Sequence, residues 1–209
     1  MCSRKRKTCS SDDVSTCDRY VSQHDERFGI YKGIGCAVAS LFNALVLLGE
    51  KPSLCQLVGS FHELKKDELP DGGLDPSYAL GVDPEQLAEI TRSLLPDSMT
   101  AESCFAERNG EHGWCEESAL QPGALVWVEP DRLTHMHMCE QARMPRVAGS
   151  HVVMVQSVCE SEITVVDPWE RDPERMMMTI PRAELASVWR TKRANGVRTK
   201  RAAVLLHRA

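Results

Sequence analysis

The sequence predicts an α+β domain, and three observations predict it. Apolar residues recur at helical spacing through the first half of the chain, up to about Leu95. From Ala124 onward, short β-branched runs bounded by turn residues replace them. The helices come first and the strand runs after them, which is the order of an antiparallel sheet with the helices set apart from it. At 209 residues and 42% hydrophobic, the chain can bury one sizeable core. The expected division is a polar tail over 1–18 and a single domain over 19–209.

The first firm element is "CAVASLFNALVLLG", where Val38, Leu41, Phe42, Leu45 and Leu48 share one helical stripe and Gly49 ends it. The preceding "GIYKGIG" carries three glycines and reads as a loop feeding that helix. A second helix is expected from Ser53 to about Lys65. A turn-rich stretch, "LPDGGLDPSYALGVDP", follows it. "DPEQLAEITRSLL" is a third, with Asp83 as N-cap and Pro84 at the first helical position. "ALVWVE" (124–129) reads as a strand, and 130–149 as irregular. "HVVMVQSV" (151–158) and "ITVV" (163–166) form a hairpin turning near Glu160-Ser161. "RMMMTI" (175–180) is a further strand, "PRAELASVW" (181–189) a short helix and "RAAVLLHR" (201–208) a terminal strand.

Charge is unevenly spread. The formal net charge is −5. Residues 4–7 are Arg-Lys-Arg-Lys, and residues 190–209 hold seven Lys/Arg and no acid. Between them, 14 basic residues face 30 acidic ones. An acidic body with basic ends argues against a nucleic-acid binder and points to a positively charged peptide or protein as substrate. No apolar run reaches bilayer length, so no membrane span is expected. The opening "MCSRKRKTCSSDDVST" lacks the apolar core of a secretory signal. Nine cysteines occur, an odd number, with no CxxC pair. Reduced thiols in a cytoplasmic setting are the expectation, with at least one thiol open to chemistry.

Cys36 is the foremost candidate. It falls in the first turn of the most apolar helix, after Gly33-Ile34-Gly35. Unpaired N–H groups and the helix dipole favour an anion there, and the thiolate is the nucleophilic form of cysteine. A lone cysteine is more often a small buried hydrophobe. His151 opens a buried strand, and Asp167 ends the next one, so both lie toward the open end of the hairpin. A carboxylate beside one ring nitrogen would fix the tautomer of a histidine base. Singly, each residue has an ordinary structural explanation. Together, a thiol, a base and an orienting acid form one nucleophilic constellation.

At these residues the chain resembles the papain-like cysteine peptidases, and within them the C39-like group. The motifs are "GCAVASLFNAL", "SHVVMVQSV" and "ITVVDPW", with His151 and Asp167 sixteen residues apart. "GVDPEQLAEITRSL", "LQPGALVWVE" and "MMMTIPRAELASVW" extend the likeness over about residues 28–190. The resemblance implies a papain-like fold, with the Cys on a central helix packed against a sheet carrying His and Asp. It implies a cysteine peptidase acting through Cys36, His151 and Asp167 without a cofactor. The backbone of Cys36 would be one oxyanion donor. The family's glutamine lies about six residues before the cysteine, where this chain has Ile30. The nearest upstream glutamine is Gln23, thirteen residues away. Ala37 stands where glycine is common. The exporter role of the best-known members does not transfer, because no membrane span or Walker motif is present.

Other readings keep the same residues. An amine acceptor in place of water would make the chain an acyltransferase. Loss of catalysis would leave a peptidase-like binding protein, a reading that Ile30 favours. "HMHMC" sets His135, His137 and Cys139 at alternate positions, with Cys115 or His112 as a further ligand. The set lacks a second pair at standard spacing, so no metal is expected. Trp169 follows Asp167-Pro168 and is placed to shield the His–Asp contact from water.

Overall fold

A computed structural model describes residues 20–31, 35–66, 82–106, 117–129, 151–192 and 198–208. Helices α1 (Cys36–Leu47), α2 (Leu54–Lys66) and α3 (Pro84–Leu94) precede the described strands. The strands are β1 (Met99–Ala106), β2 (Leu125–Val128), β3 (His151–Val158), β4 (Glu162–Val166), β5 (Met177–Pro181), β6 (Arg190–Lys192) and β7 (Arg198–Arg208). Two short helices interrupt them, α4 (Pro173–Met176) and α5 (Arg182–Val188). All strand pairs are antiparallel, in the order β1-β7-β2-β3-β4-β5, with β6 also on β7. The molecule is thus a mixed helix and antiparallel-sheet protein, as expected.

Local sequence explains the helix ends. At α1, Gly49 has φ 86°, its N–H bonds the Val46 carbonyl and the Glu50 N–H bonds the Leu45 carbonyl. These two bonds form a Schellman stop, for which glycine is the usual residue. At α2, the Gln56 N–H donates to the Ser53 hydroxyl at 3.3 Å. At α3, Asp83 and Gln86 form a capping box before Pro84.

The sheet is apolar on both faces, which is why its central strands read as unbroken hydrophobic runs. One core holds Leu125, Trp127, Val152, Met154, Val204 and Leu206 under α1, α2 and α3. The opposite face carries Val126, Val153, Val155, Val165, Ala203 and Leu205 under α5 and Trp189. The Trp127 indole N–H donates to the Val82 carbonyl at 3.1 Å, and that of Trp189 to the Ala202 carbonyl at 2.8 Å. α1 is buried on most of its circumference and packs across β3.

Four expectations change. Residues 26–31 are a 3-10 helix broken at Gly29 (φ 54°), so the part of the expected loop from Gly29 to Tyr31 is helical. β1 and β6 were not foreseen; both exist as partners of the long β7. The strand expected from Arg175 begins at Met177. Asp172 accepts the Glu174 N–H at 3.0 Å and, with Pro173, starts one helical turn first. The last strand begins at Arg198 rather than Arg201, and it lies between β1 and β2 in the sheet.

Candidate functional site

Cys36 is the first residue of α1, half-buried, with Gly35 as N-cap and no side chain capping the helix. The opening N–H groups of α1 therefore lack the side-chain acceptor that Ser, Thr or Asp would supply. His151, 5% exposed, begins β3. Asp167, fully buried, follows the last residue of β4.

A β-bulge decides that the last two can meet. From the turn, Val158 pairs with Ile163 and Ser157 with Thr164; beyond the irregularity, Val155 pairs with Val165 and Met154 with Val166. Continued outward, this shifted register sets Asp167 opposite Val153, on the His151 face of the hairpin. Without the bulge, Asp167 would fall opposite Met154, on the other face. The His151 Nε2 and Asp167 Oδ1 are 2.6 Å apart. The same Oδ1 accepts the Trp169 main-chain N–H at 2.8 Å, whereas Oδ2 is buried with no hydrogen-bond partner among the described residues.

With Nε2 engaged by Asp167, Nδ1 is the ring nitrogen left to face Cys36, whose side chain is close enough to act on the charge of the ring. Burial alone would lower the His151 pKa. The Asp167 charge and hydrogen bond outweigh it and, with Cys36, push the value up to about 10. The ring is thereby held as an imidazolium near neutral pH. Trp169 stands edge-on to His151, with ring centroids 6.3 Å apart, where the sequence placed a shield. His24 meets the same indole at 5.2 Å.

Gln23 is also buried, at 1% exposure, and its main-chain N–H donates to the Pro168 carbonyl at 2.8 Å. The Ser22 hydroxyl reaches the same carbonyl at 3.0 Å. Thirteen residues of sequence separation thus end beside the Asp167-Pro168 turn. On the other side, Val21 is held to α1 by Asn43. Ile30 lies in the 3-10 helix.

Cys36, His151, Asp167 and Gln23 therefore occupy one region, with His151 and Asp167 hydrogen-bonded, Cys36 acting on the His151 ring and Gln23 anchored at the edge. Ser22, His24, Ser40 and Asn43 were not foreseen. For Ser40 and Asn43 a signal existed, because they are polar residues inside an otherwise apolar helix. His112, Cys115, His135, His137 and Cys139 lie outside the described residues, as do Gly33 and Ile34. Among the described residues, no helix is long and apolar enough to cross a membrane. In comparisons with known proteins, no family model matches the chain and no curated protein matches it significantly.

Proposed function

We propose that the chain is a papain-like, C39-like thiol hydrolase that cleaves a peptide or isopeptide bond through Cys36, His151 and Asp167. The observation that carries this reading is the juxtaposition of Cys36, His151 and Asp167: a thiol in the first turn of α1, acting on an imidazole whose Nε2 is 2.6 Å from a buried carboxylate oxygen. A structural thiol needs neither partner.

In the proposed reaction, the Cys36 thiolate attacks the carbonyl carbon, and the carbonyl π electrons move onto oxygen. The Cys36 backbone N–H is one donor for that oxyanion. The Gln23 side-chain amide is the second, in place of the family's customary glutamine at position 30. Support for Gln23 is its burial and its anchorage to Pro168, one residue past the acid. The intermediate collapses, the C–N bond breaks, and His151 Nδ1 gives its proton to the leaving amine. Water then attacks the thioester, His151 takes one of its protons, the C–S bond breaks, and the carboxylic acid leaves behind the Cys36 thiolate beside the protonated His151. Asp167 holds the ring and stabilises its charge throughout.

The test is the rate of Cys36 alkylation by iodoacetamide against pH, with the site assigned by mass spectrometry, on wild type and His151→Ala. Reaction well below the free-thiol value of about 8.5, lost in the variant, is the expected result. A profile like that of a free thiol in both proteins would remove the ion pair, and with it the enzyme reading. A peptidase-like binding protein would then be the better description.

A further inference from the structure

Two fully buried polar side chains on α1 take no part in the reaction above, Ser40 and Asn43. A buried polar group is costly unless it is hydrogen-bonded, and here both bonds leave the helix. The Ser40 hydroxyl donates to the Val152 carbonyl at 3.0 Å. Val152 is the residue after His151. Asn43 Oδ1 accepts the Val21 N–H at 2.7 Å, and its Nδ2 donates to the Val21 carbonyl at 3.0 Å. Val21 is two residues before Gln23. Cys36, Ser40 and Asn43 are spaced four and three residues apart, which puts them on one face of the helix.

The sheet explains why Ser40 is needed. Met154 pairs with Val166, and the same register continued sets Val152 opposite Pro168. Proline has no N–H, so β4 cannot supply a donor to the Val152 carbonyl. The Ser40 hydroxyl takes that place. The same parting of β3 and β4 leaves the Pro168 carbonyl to the Gln23 N–H and the Ser22 hydroxyl. The ladder therefore opens where His151 and Asp167 sit, and neighbouring elements supply the donors at the opening.

We infer that Ser40 and Asn43 are positioning residues: Ser40 sets the His151 strand at a fixed height over Cys36, and Asn43 sets the Gln23 segment against the same helix. One stripe of α1 then indexes nucleophile, base and oxyanion donor to each other. This rests on the thiol-hydrolase reading of the site.

Two reagents separate the two roles. Iodoacetamide is displaced at a saturated carbon, so thiolate attack expels iodide and forms no oxyanion. p-Nitrophenyl acetate is attacked at its carbonyl; the adduct passes through an oxyanion, expels p-nitrophenolate and leaves Cys36 thioacetylated. Both rates would be measured against pH on wild type, Ser40→Ala, Asn43→Ala and the control Thr91→Ala. Thr91 is a buried hydroxyl bonded within α3, at the Leu87 carbonyl. Ser40→Ala should slow both reactions near neutrality by about tenfold, because it loosens the thiol–imidazole pair. Asn43→Ala should slow acylation by about tenfold or more and leave the alkylation profile unchanged. Thr91→Ala should lower the melting temperature and neither rate. If Asn43→Ala does not fold, Asn43→Ser carries the same comparison. Wild-type rates in the Ser40 and Asn43 variants would overturn the inference. So would losses equal for both reagents in the Asn43 variant, or losses matched by the Thr91 control. A wild type with no low-pH alkylation would instead overturn the hydrolase reading itself, and the inference with it.

Discussion

Replacing Asp167 by Asn tests the electrostatics of the site while preserving its shape. Oδ1 takes both bonds, from His151 Nε2 at 2.6 Å and the Trp169 N–H at 2.8 Å, and Oδ2 takes none among the described residues. An asparagine can keep its oxygen at the Oδ1 place and put its NH2 where Oδ2 was. The geometry survives; the charge does not. Unit charges 2.6 Å apart attract by ~6 kcal/mol at an effective dielectric constant of about 20. Spreading the charges over two carboxylate oxygens and the imidazolium ring reduces this to roughly 3 kcal/mol, or about 2 pKa units. The His151 pKa should then fall clearly below about 10 in Asp167→Asn, through loss of the Asp167 charge that offsets burial. The assay is a ring 15N NMR titration of His151, with its signals identified by their loss in His151→Gln. In Asp167→Ala the ring loses its anchor as well, so Cys36 alkylation should fall at least tenfold below that of Asp167→Asn. A His151 titration near 6.5 in wild type, or one unmoved by Asp167→Asn, would refute the reasoning.

Three further outcomes follow from the same structure. His151 titrates at about 6.5 when unfolded and about 10 when folded. Its stabilising contribution is therefore complete below about pH 6.5 and is lost as the pH climbs toward 10. Wild-type melting temperature should decline over that window, and His151→Gln should remove that part of the decline. Trp169→Ala keeps the main-chain bond to Asp167 but removes the ring edge 6.3 Å from His151. Denaturant titration should show a loss of about 0.5–1.5 kcal/mol for the aromatic contact. Gly123 has φ 90°, and a Cβ there would come within 3.1 Å of Leu48 Cδ1. Gly123→Ala should cost about 1–3 kcal/mol in denaturant unfolding, with Cys36 alkylation unchanged.

Elements that carry their own local signals were legible from sequence. α1 shows its stop in Gly49, α3 its start in Asp83-Pro84, and β3 and β4 their burial in continuous β-branched runs. β1 lacked such a signal. In "MTAESCFA", Glu102 stands mid-strand and exposed, and the residues described through Cys104 show three buried hydrophobics, Met99, Ala101 and Cys104. It is a strand because β7 offers it a partner from Lys200 to Arg208. That is tertiary context outweighing a weak local preference. The start of β5 was misread for the opposite reason, because the local Asp172-Pro173 cap is stronger than the methionine run suggests.

The candidate site divides along the same line. Cys36, His151 and Asp167 stand out because each ends or begins an element whose type is legible. Whether the last two share a face is a different matter, since a one-residue slip sends every side chain of a strand to the other side of the sheet. The slip here lies between Val155 and Ser157, in a run whose hydrophobicity gives no sign of it. Gln23 was harder still. What brings it to the Asp167-Pro168 turn is a pair of main-chain bonds, its own N–H to Pro168 and Val21 to Asn43. Main-chain partners leave no trace in residue identity at position 23 itself. The trace lies on the other side of the contact, in an asparagine buried on α1, where nothing polar is needed unless another segment must be held there.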